Sequence, residues 1–264
     1  MIIAKFLCWF YMYGFFGKYF KNVDISFAFY IFLQINKNII MSIADNLNNI
    51  KGDLKDAVRL VAVSKTKPLS DIEEAYKAGQ RIFGENKVQE LAEKHESLPD
   101  DIEWHMIGHL QTNKVKYIAP FVSMIHSVDS LKLLKVINKE AKKNNRVVRC
   151  LFQFFIADET TKFGMNKEEA EAILSSDEFA EMKNVDISGV MGVATNTSDK
   201  DQIRREFHSL KQIFDDLKSK YFNKSQNFCE ISMGMSHDYQ IAQQEGSTLV
   251  RVGSLIFGNR NYNI

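Results

Sequence analysis

Eight short apolar runs, separated by segments with helical periodicity, restrict the folds open to this chain more than any other feature. They are Leu60–Val63, Arg81–Phe83, Glu103–Met106, Val122–His126, Val148–Phe154, Asp186–Met191, Phe228–Ser232 and Leu249–Val252. Leu60-Val61-Ala62-Val63 is apolar without alternation, the pattern of a strand covered on both faces in a parallel sheet. Helical patterns intervene at Leu69–Ala78, closed by Gly79, and at Ser130–Asn144, Lys167–Leu174 and Asp199–Lys220. Eight strand-then-helix units in roughly 220 residues predict an α/β fold, a single (β/α)8 barrel. A doubly wound open sheet is the alternative. No Pro- or Ser-rich linker and no internal repeat divides the barrel segment.

Residues 1–40 do not belong to that pattern, because 13 of the chain's 31 aromatics fall there beside only five charges. Its two uncharged runs, Phe6 to Gly17 and Ile25 to Asn36, are each 12 residues. Both are shorter than the about 20 residues that span a bilayer. No small-residue cleavage site follows either run. A membrane-surface anchor, an uncleaved targeting segment and read-through upstream of a true start at Met41 are the three readings, and the last is favoured. Ser42-Ile43-Ala44-Asp45 reads as a capping box directly after Met41, followed by Ile43, Leu47, Ile50 and Leu54 on one helical face. The expected division is therefore 1–40, an atypical extension, and 41–264, the barrel with an extra N-terminal helix.

Four of the 34 basic and one of the 33 acidic residues lie in the extension, which leaves 30 basic and 32 acidic residues in the barrel segment. That balance provides no electrostatic footprint for nucleic acid. Cys8, Cys150 and Cys229 form no CxxC pair, which fits a reducing compartment. A cytoplasmic protein follows, with the extension leaving membrane association or organelle targeting open.

The candidate chemistry sits where a barrel places reacting groups, at the carboxyl ends of its strands. Lys65 follows the first strand and Pro68 stops the run. Partial desolvation at such a rim favours the neutral amine that attacks an aldehyde. Ser232-Met233-Gly234-Met235-Ser236 follows the seventh strand and enters a helix at His237-Asp238, while Arg251-Val252-Gly253-Ser254 ends the eighth. Glycines for close backbone approach, serine hydroxyls and a helix start on two adjacent strands suit a phosphate. Two capped turns without a ligand are the plainer reading. Gly84-Glu85-Asn86 and Gly108-His109-Leu110-Gln111 follow the second and third strands, and Asn86 and Gln111 either meet a ligand or close loop hydrogen bonds. His105 and His109 are not a zinc pair, because His105 lies in a strand and no carboxylate or cysteine completes a site.

Six ordered blocks carry a resemblance that covers about Val58 to Arg260. They are Val-Ala-Val-Ser-Lys65-Thr-Lys-Pro, Phe-Gly-Glu-Asn86-Lys-Val-Gln-Glu, Trp-His-Met-Ile-Gly-His109-Leu-Gln-Thr-Asn-Lys, His126-Ser-Val-Asp129-Ser, Ser232-Met-Gly-Met-Ser236-His-Asp238, and Val250-Arg251-Val-Gly-Ser-Leu-Ile-Phe-Gly. The chain resembles the pyridoxal phosphate homeostasis proteins, relatives of the alanine racemase barrel. That resemblance implies an internal aldimine between Lys65 and pyridoxal 5′-phosphate, with Ser232, Met233, Gly234, Met235, Ser236, Gly253 and Ser254 at the phosphate. It implies Arg251 at the pyridine nitrogen, Asn86 beside the ring and His109 in the pocket wall. One block departs from the family pattern: Gln153-Phe154-Phe155 replaces a polar strand end with Phe155, although Lys162-Phe163-Gly164 is kept.

The resemblance implies a cofactor carrier in vitamin B6 and amino-acid homeostasis, not an enzyme, acting as a monomer or weak dimer. Its implied partners are the cofactor and apo pyridoxal-phosphate enzymes. A low-activity racemase with His109 as second base is the alternative. Racemases of this fold draw that base from an added β-domain, for which the chain to Ile264 is expected to have no room.

Overall fold

Strand pairing follows the order of the chain. In the computed structural model, which describes residues 42–157 and 164–258, the strands are β1 (Arg59–Val63), β2 (Ile82–Glu85), β3 (Glu103–Met106), β4 (Met124–Val128), β5 (Val148–Phe154), β6 (Val185–Gly192), β7 (Glu230–Ser232) and β8 (Leu249–Val252). Each pairs in parallel with the next, and β1 also pairs with β8, with Val61 opposite Arg251. The sheet is a closed barrel, and the open-sheet alternative is excluded.

Helix α1 (Ile43–Asp53) precedes β1. The crossovers carry α2 (Leu69–Lys77), α3 (Val88–Ser97), α4 (Val115–Ile118), α5 (Leu131–Lys143), α6 (Lys167–Leu174), α7 (Asp177–Ala180), α8 (Lys200–Tyr221) and α9 (Tyr239–Gln244), and α10 (Ser254–Phe257) follows β8. Ser130, Asn166 and Asp199 cap α5, α6 and α8 with side-chain oxygens. Two strands, β4 and β7, begin two residues later than their apolar runs. Val122 still bonds back to Ile118 at 2.8 Å, which delays β4. Phe228 is drawn into a stack between Phe214 and Phe222, so β7 starts at Glu230.

The two-residue period of each strand sorts side chains between two interiors. Leu60, Ala62, Trp104, Met106, Val250 and Val252 face the helices and join the main core. Val61, Met124, Leu151, Met191 and Leu249 form a separate apolar cluster inside the barrel. Below that cluster the buried carboxylate of Glu230 accepts from Arg59, from Arg149 at 3.0 Å and from Thr248 at 2.9 Å, plugging the N-terminal end. Gly189, at φ +153°, allows β6 its close contact with β7, because a Cβ there would lie 1.9 Å from the Glu230 carbonyl oxygen. Leu47 and Ile50 of α1 are buried, and Asn46 Nδ2 donates to the Ile256 carbonyl at 3.1 Å, tying α1 to the end of the barrel chain. No helix among the described residues is long and apolar enough to cross a membrane. The expectations for residues 1–40 lie outside the described residues; the extra helix expected at the start of the barrel segment is α1.

Candidate functional site

A cleft of about 320 Å³ opens at the carboxyl ends of the strands. Lys65 and Lys67 line it after β1, Asn86 after β2, Met235, Ser236 and His237 after β7, Arg251 within β8, and Gly253 and Ser254 beyond it. Ile107 and Val193 add apolar surface. Three cationic side chains therefore meet in one concavity, which favours an anionic occupant.

Lys65 sits in a turn two residues past β1. Thr66, the next residue, has φ +64°, a left-handed conformation that a β-branched side chain disfavours. Bonds from neighbouring elements hold this turn. Lys94 Nζ donates to the Ser64 carbonyl at 2.8 Å, Ser64 Oγ donates to Glu85 at 2.6 Å, and the Thr66 N–H donates to Glu90 at 2.5 Å. Lys94 also pairs with Glu85 at 2.8 Å and Glu90 at 2.7 Å. Burial raises the Glu85 carboxyl above its ordinary range, against the pull of Lys94.

Across the cleft, the loops after β7 and β8 are joined by the Gly253 N–H, which donates to Ser236 Oγ at 3.3 Å, and by the Arg251 N–H, which donates to the Gly234 carbonyl at 2.9 Å. Gly234 has φ +95° and lies against α9, where a Cβ would come 2.5 Å from that of Ala242. The Met235 N–H is already taken by Asp238 Oδ1 at 2.5 Å. By contrast, the N–H groups of Ser236, His237 and Ser254 have no acceptor among the described residues. These three donors sit on the two loops that line one side of the cleft. Asp238 is buried, and its Oδ2 lies 3.2 Å from His237 Nε2, close enough to pair but without hydrogen-bond alignment.

A buried polar chain runs from Arg251 into the barrel. One Arg251 amine donates to Ser232 Oγ at 2.5 Å and the other to the Gly192 carbonyl at 3.0 Å. Ser232 Oγ lies 2.9 Å from His126 Nδ1, and His126 Nε2 lies 2.9 Å from His105 Nδ1. Arginine only donates, so Ser232 accepts from it; the order in which the Ser232 hydroxyl also donates runs Ser232 O–H to His126 Nδ1, then His126 Nε2–H to His105 Nδ1. Burial lowers the basicity of both imidazoles, His105 to about 3 and His126 well below its usual 6.5, with the charges of Arg59 and Arg149 adding to the effect on both and those of His105 and Arg251 on His126. Burial also lowers Arg251 to about 10.

The structure thus brings Lys65, Asn86, Met235, Ser236, Arg251, Gly253 and Ser254 to one cleft. Ser232 is instead fully buried behind Arg251, Met233 packs in the helix-facing core, and Gly234 forms the turn beneath the loop. His109 lines a neighbouring depression with Asn86 and Gln111, its Nδ1 3.5 Å from Asp129. Phe155 is 41% exposed and does not line the cleft; Lys162 and Phe163 lie outside the described residues. Sequence reasoning missed Lys67, Ile107, Val193 and His237 in the wall and the His105–His126 pair behind it. The inward parity of Met124 and His126 on β4 was the available signal for the latter. No group of three metal-ligating side chains occurs among the described residues.

Residues 40–261 match the family described as alanine racemase, N-terminal domain. The chain is 39% identical over 209 residues to the pyridoxal phosphate homeostasis protein of Aquifex aeolicus, covering 79% of this chain and 90% of that protein. It is 40% identical over 215 residues to the human protein of the same name, covering 78% of each. Among solved structures, PipY of Synechococcus elongatus with PLP bound superposes with a TM-score of 0.75 at 33% identity, covering 82% of this chain and all of PipY. Alanine racemase of Bartonella henselae, at 15% identity and a TM-score of 0.64, shares the fold. The eight-stranded barrel, the ordered motifs and these likenesses together show that the chain belongs to the pyridoxal phosphate homeostasis protein family, on the alanine racemase N-terminal fold.

Proposed function

We propose that this protein binds pyridoxal 5′-phosphate in the cleft at the barrel mouth and serves its homeostasis in the cytoplasm, as a carrier and regulator without robust catalysis. The observation that carries this reading is the convergence of Lys65, Arg251 and the two loops with idle N–H groups on one cationic cleft. The donor set fits the group. A primary amine suits its aldehyde, three backbone donors with the hydroxyls of Ser236 and Ser254 suit its phosphate, and a fixed guanidinium suits its ring nitrogen. PipY with PLP bound supports the same assignment. When bound, the cofactor supplies an electron-withdrawing ring to whatever amine is attached to it.

The chain's own residues define what happens around it. Lys65 would hold the aldehyde carbon and Asn86 would border the ring, while the N–H groups of Ser236, His237 and Ser254 with the Ser236 and Ser254 hydroxyls would hold the phosphate, on turns that Met235 and Gly253 shape through their own N–H bonds. Ser232, Met233 and Gly234 act at second hand by fixing Arg251 and the loop. His109, placed beside Asn86, borders the site from the neighbouring depression. Arg251 offers donors only and therefore withholds a proton from the ring nitrogen, which weakens carbanion chemistry. Purified protein showing a visible absorbance band that borohydride abolishes, with the added mass on Lys65, is the expected result. Mass on another lysine overturns the assignment.

A second reading, slow proton transfer on a bound amino acid, draws on His237, the imidazole that lines the cleft next to buried Asp238. Racemization that survives at full rate in His237→Ala removes that reading.

A further inference from the structure

We infer that Glu85, Glu90 and Lys94 form a positioning cluster that aims Lys65, so that the amine's competence for covalent capture is set by residues outside the cleft. The inference rests on the proposed function of Lys65. None of the three side chains lines the cleft, whereas Glu90 and Lys94 border a separate depression on the outer side of the β1–α2 turn, with Lys67, Pro68 and Leu69. Yet their bonds fall on the residues that flank the lysine, Ser64 before it and Thr66 after it. A lone buried ion pair kept for stability needs no such targets. Here the ammonium of Lys94 is shared by two carboxylates and a backbone carbonyl, and each carboxylate also accepts from the turn.

The strained backbone explains why the turn needs this. Thr66 at φ +64° relaxes to a right-handed or extended conformation unless its surroundings over-determine it. Such a relaxation re-aims the Cα–Cβ bond of Lys65, its immediate neighbour, and a misplacement on the order of 1 Å at a reacting group costs on the order of a hundredfold in rate. Glu85 and Lys94 are buried, so water does not substitute for the lost partners.

The test uses the full chain and its Lys94→Met and Glu90→Gln variants. In the ligand-free protein, competitive acetylation by acetic anhydride reads Lys65 against exposed Lys132; in the loaded protein, the rate at which pyridoxal 5′-phosphate becomes borohydride-fixed reads capture. Lys94→Met is expected to slow capture about ten- to a hundredfold while phosphate-dependent retention persists, and to move the Lys65 acetylation profile onto that of Lys132. Glu90→Gln, which keeps the Lys94–Glu85 pair, gives a smaller change in the same direction. Wild-type capture rates and acetylation profiles in both folded variants overturn the proposal, even where melting temperatures fall. If Lys94→Met does not fold, Glu90→Gln decides by the same two readings. Absence of any adduct in the unmodified protein refutes the proposed function instead, and the acetylation profiles still judge the cluster.

Discussion

Arg251 donates to Ser232 Oγ at 2.5 Å inside the barrel, so the guanidinium at the cleft is held from behind by a hydroxyl that no ligand reaches. Ser232→Ala removes that acceptor and also leaves His126 Nδ1 without its partner. Hydrogen bonds to charged groups contribute about 1.5–3 kcal/mol. Equilibrium urea denaturation is expected to show a loss of about that size, with weakened cofactor retention.

Stability is expected to fall as pH drops below about 6.5, because buried His105 and His126 stay neutral in the fold and protonate on unfolding. The unfolded chain then binds more protons than the native one. His105, with a folded value of about 3, contributes over the window from 6.5 down to about 3. Each such histidine steepens the dependence by up to about 1.4 kcal/mol per pH unit. Denaturation at pH 7.5 and 5.0 checks this; His126→Leu should flatten the dependence, and an unchanged slope removes the pair from the account.

Lys65→Ala should abolish borohydride fixation yet leave weak, reversible retention, since the loops after β7 and β8 remain intact. Equilibrium dialysis against pyridoxal 5′-phosphate and against unphosphorylated pyridoxal measures it. Equal retention of the two compounds contradicts a phosphate site in those loops.

Gly234→Ala should damage that site, because φ is +95° and the new methyl meets Ala242 at 2.5 Å. Gly52, in α1, has nothing within 4 Å of a built Cβ, so Gly52→Ala is expected to be neutral or stabilising by about 0.5–1 kcal/mol. Thermal melting of the two variants provides the contrast, and phosphate-dependent affinity should fall only in the first.

The bound ring nitrogen should be unprotonated at pH 7, since Arg251 offers it no acceptor. Nitrogen-15 shifts of labelled cofactor report this directly. A pyridinium signal in the unmodified protein refutes the role given to Arg251.

The strand-helix alternation, the apolar faces of the helices and the ordered motifs are local properties, and the sequence by itself determined the barrel, its strand order and the placement of Lys65, Asn86, Ser236, Arg251 and Ser254 at strand ends. Local pattern suffices there because a period of two or 3.6 residues is decided by neighbours in the chain. Ser232 and His109 show where it stops. Both stand in motifs at strand ends, yet closure of the barrel turned Ser232 inward behind Arg251 and placed His109 over a neighbouring depression. The chain Arg251–Ser232–His126–His105 joins β8, β7, β4 and β3, and the Lys94 cluster joins α3 to the β1 turn across 30 residues. Only tertiary structure decided these, because a buried polar group takes its partner from whichever strand or helix the closed sheet brings within hydrogen-bond distance, and that distance is not written in sequence spacing.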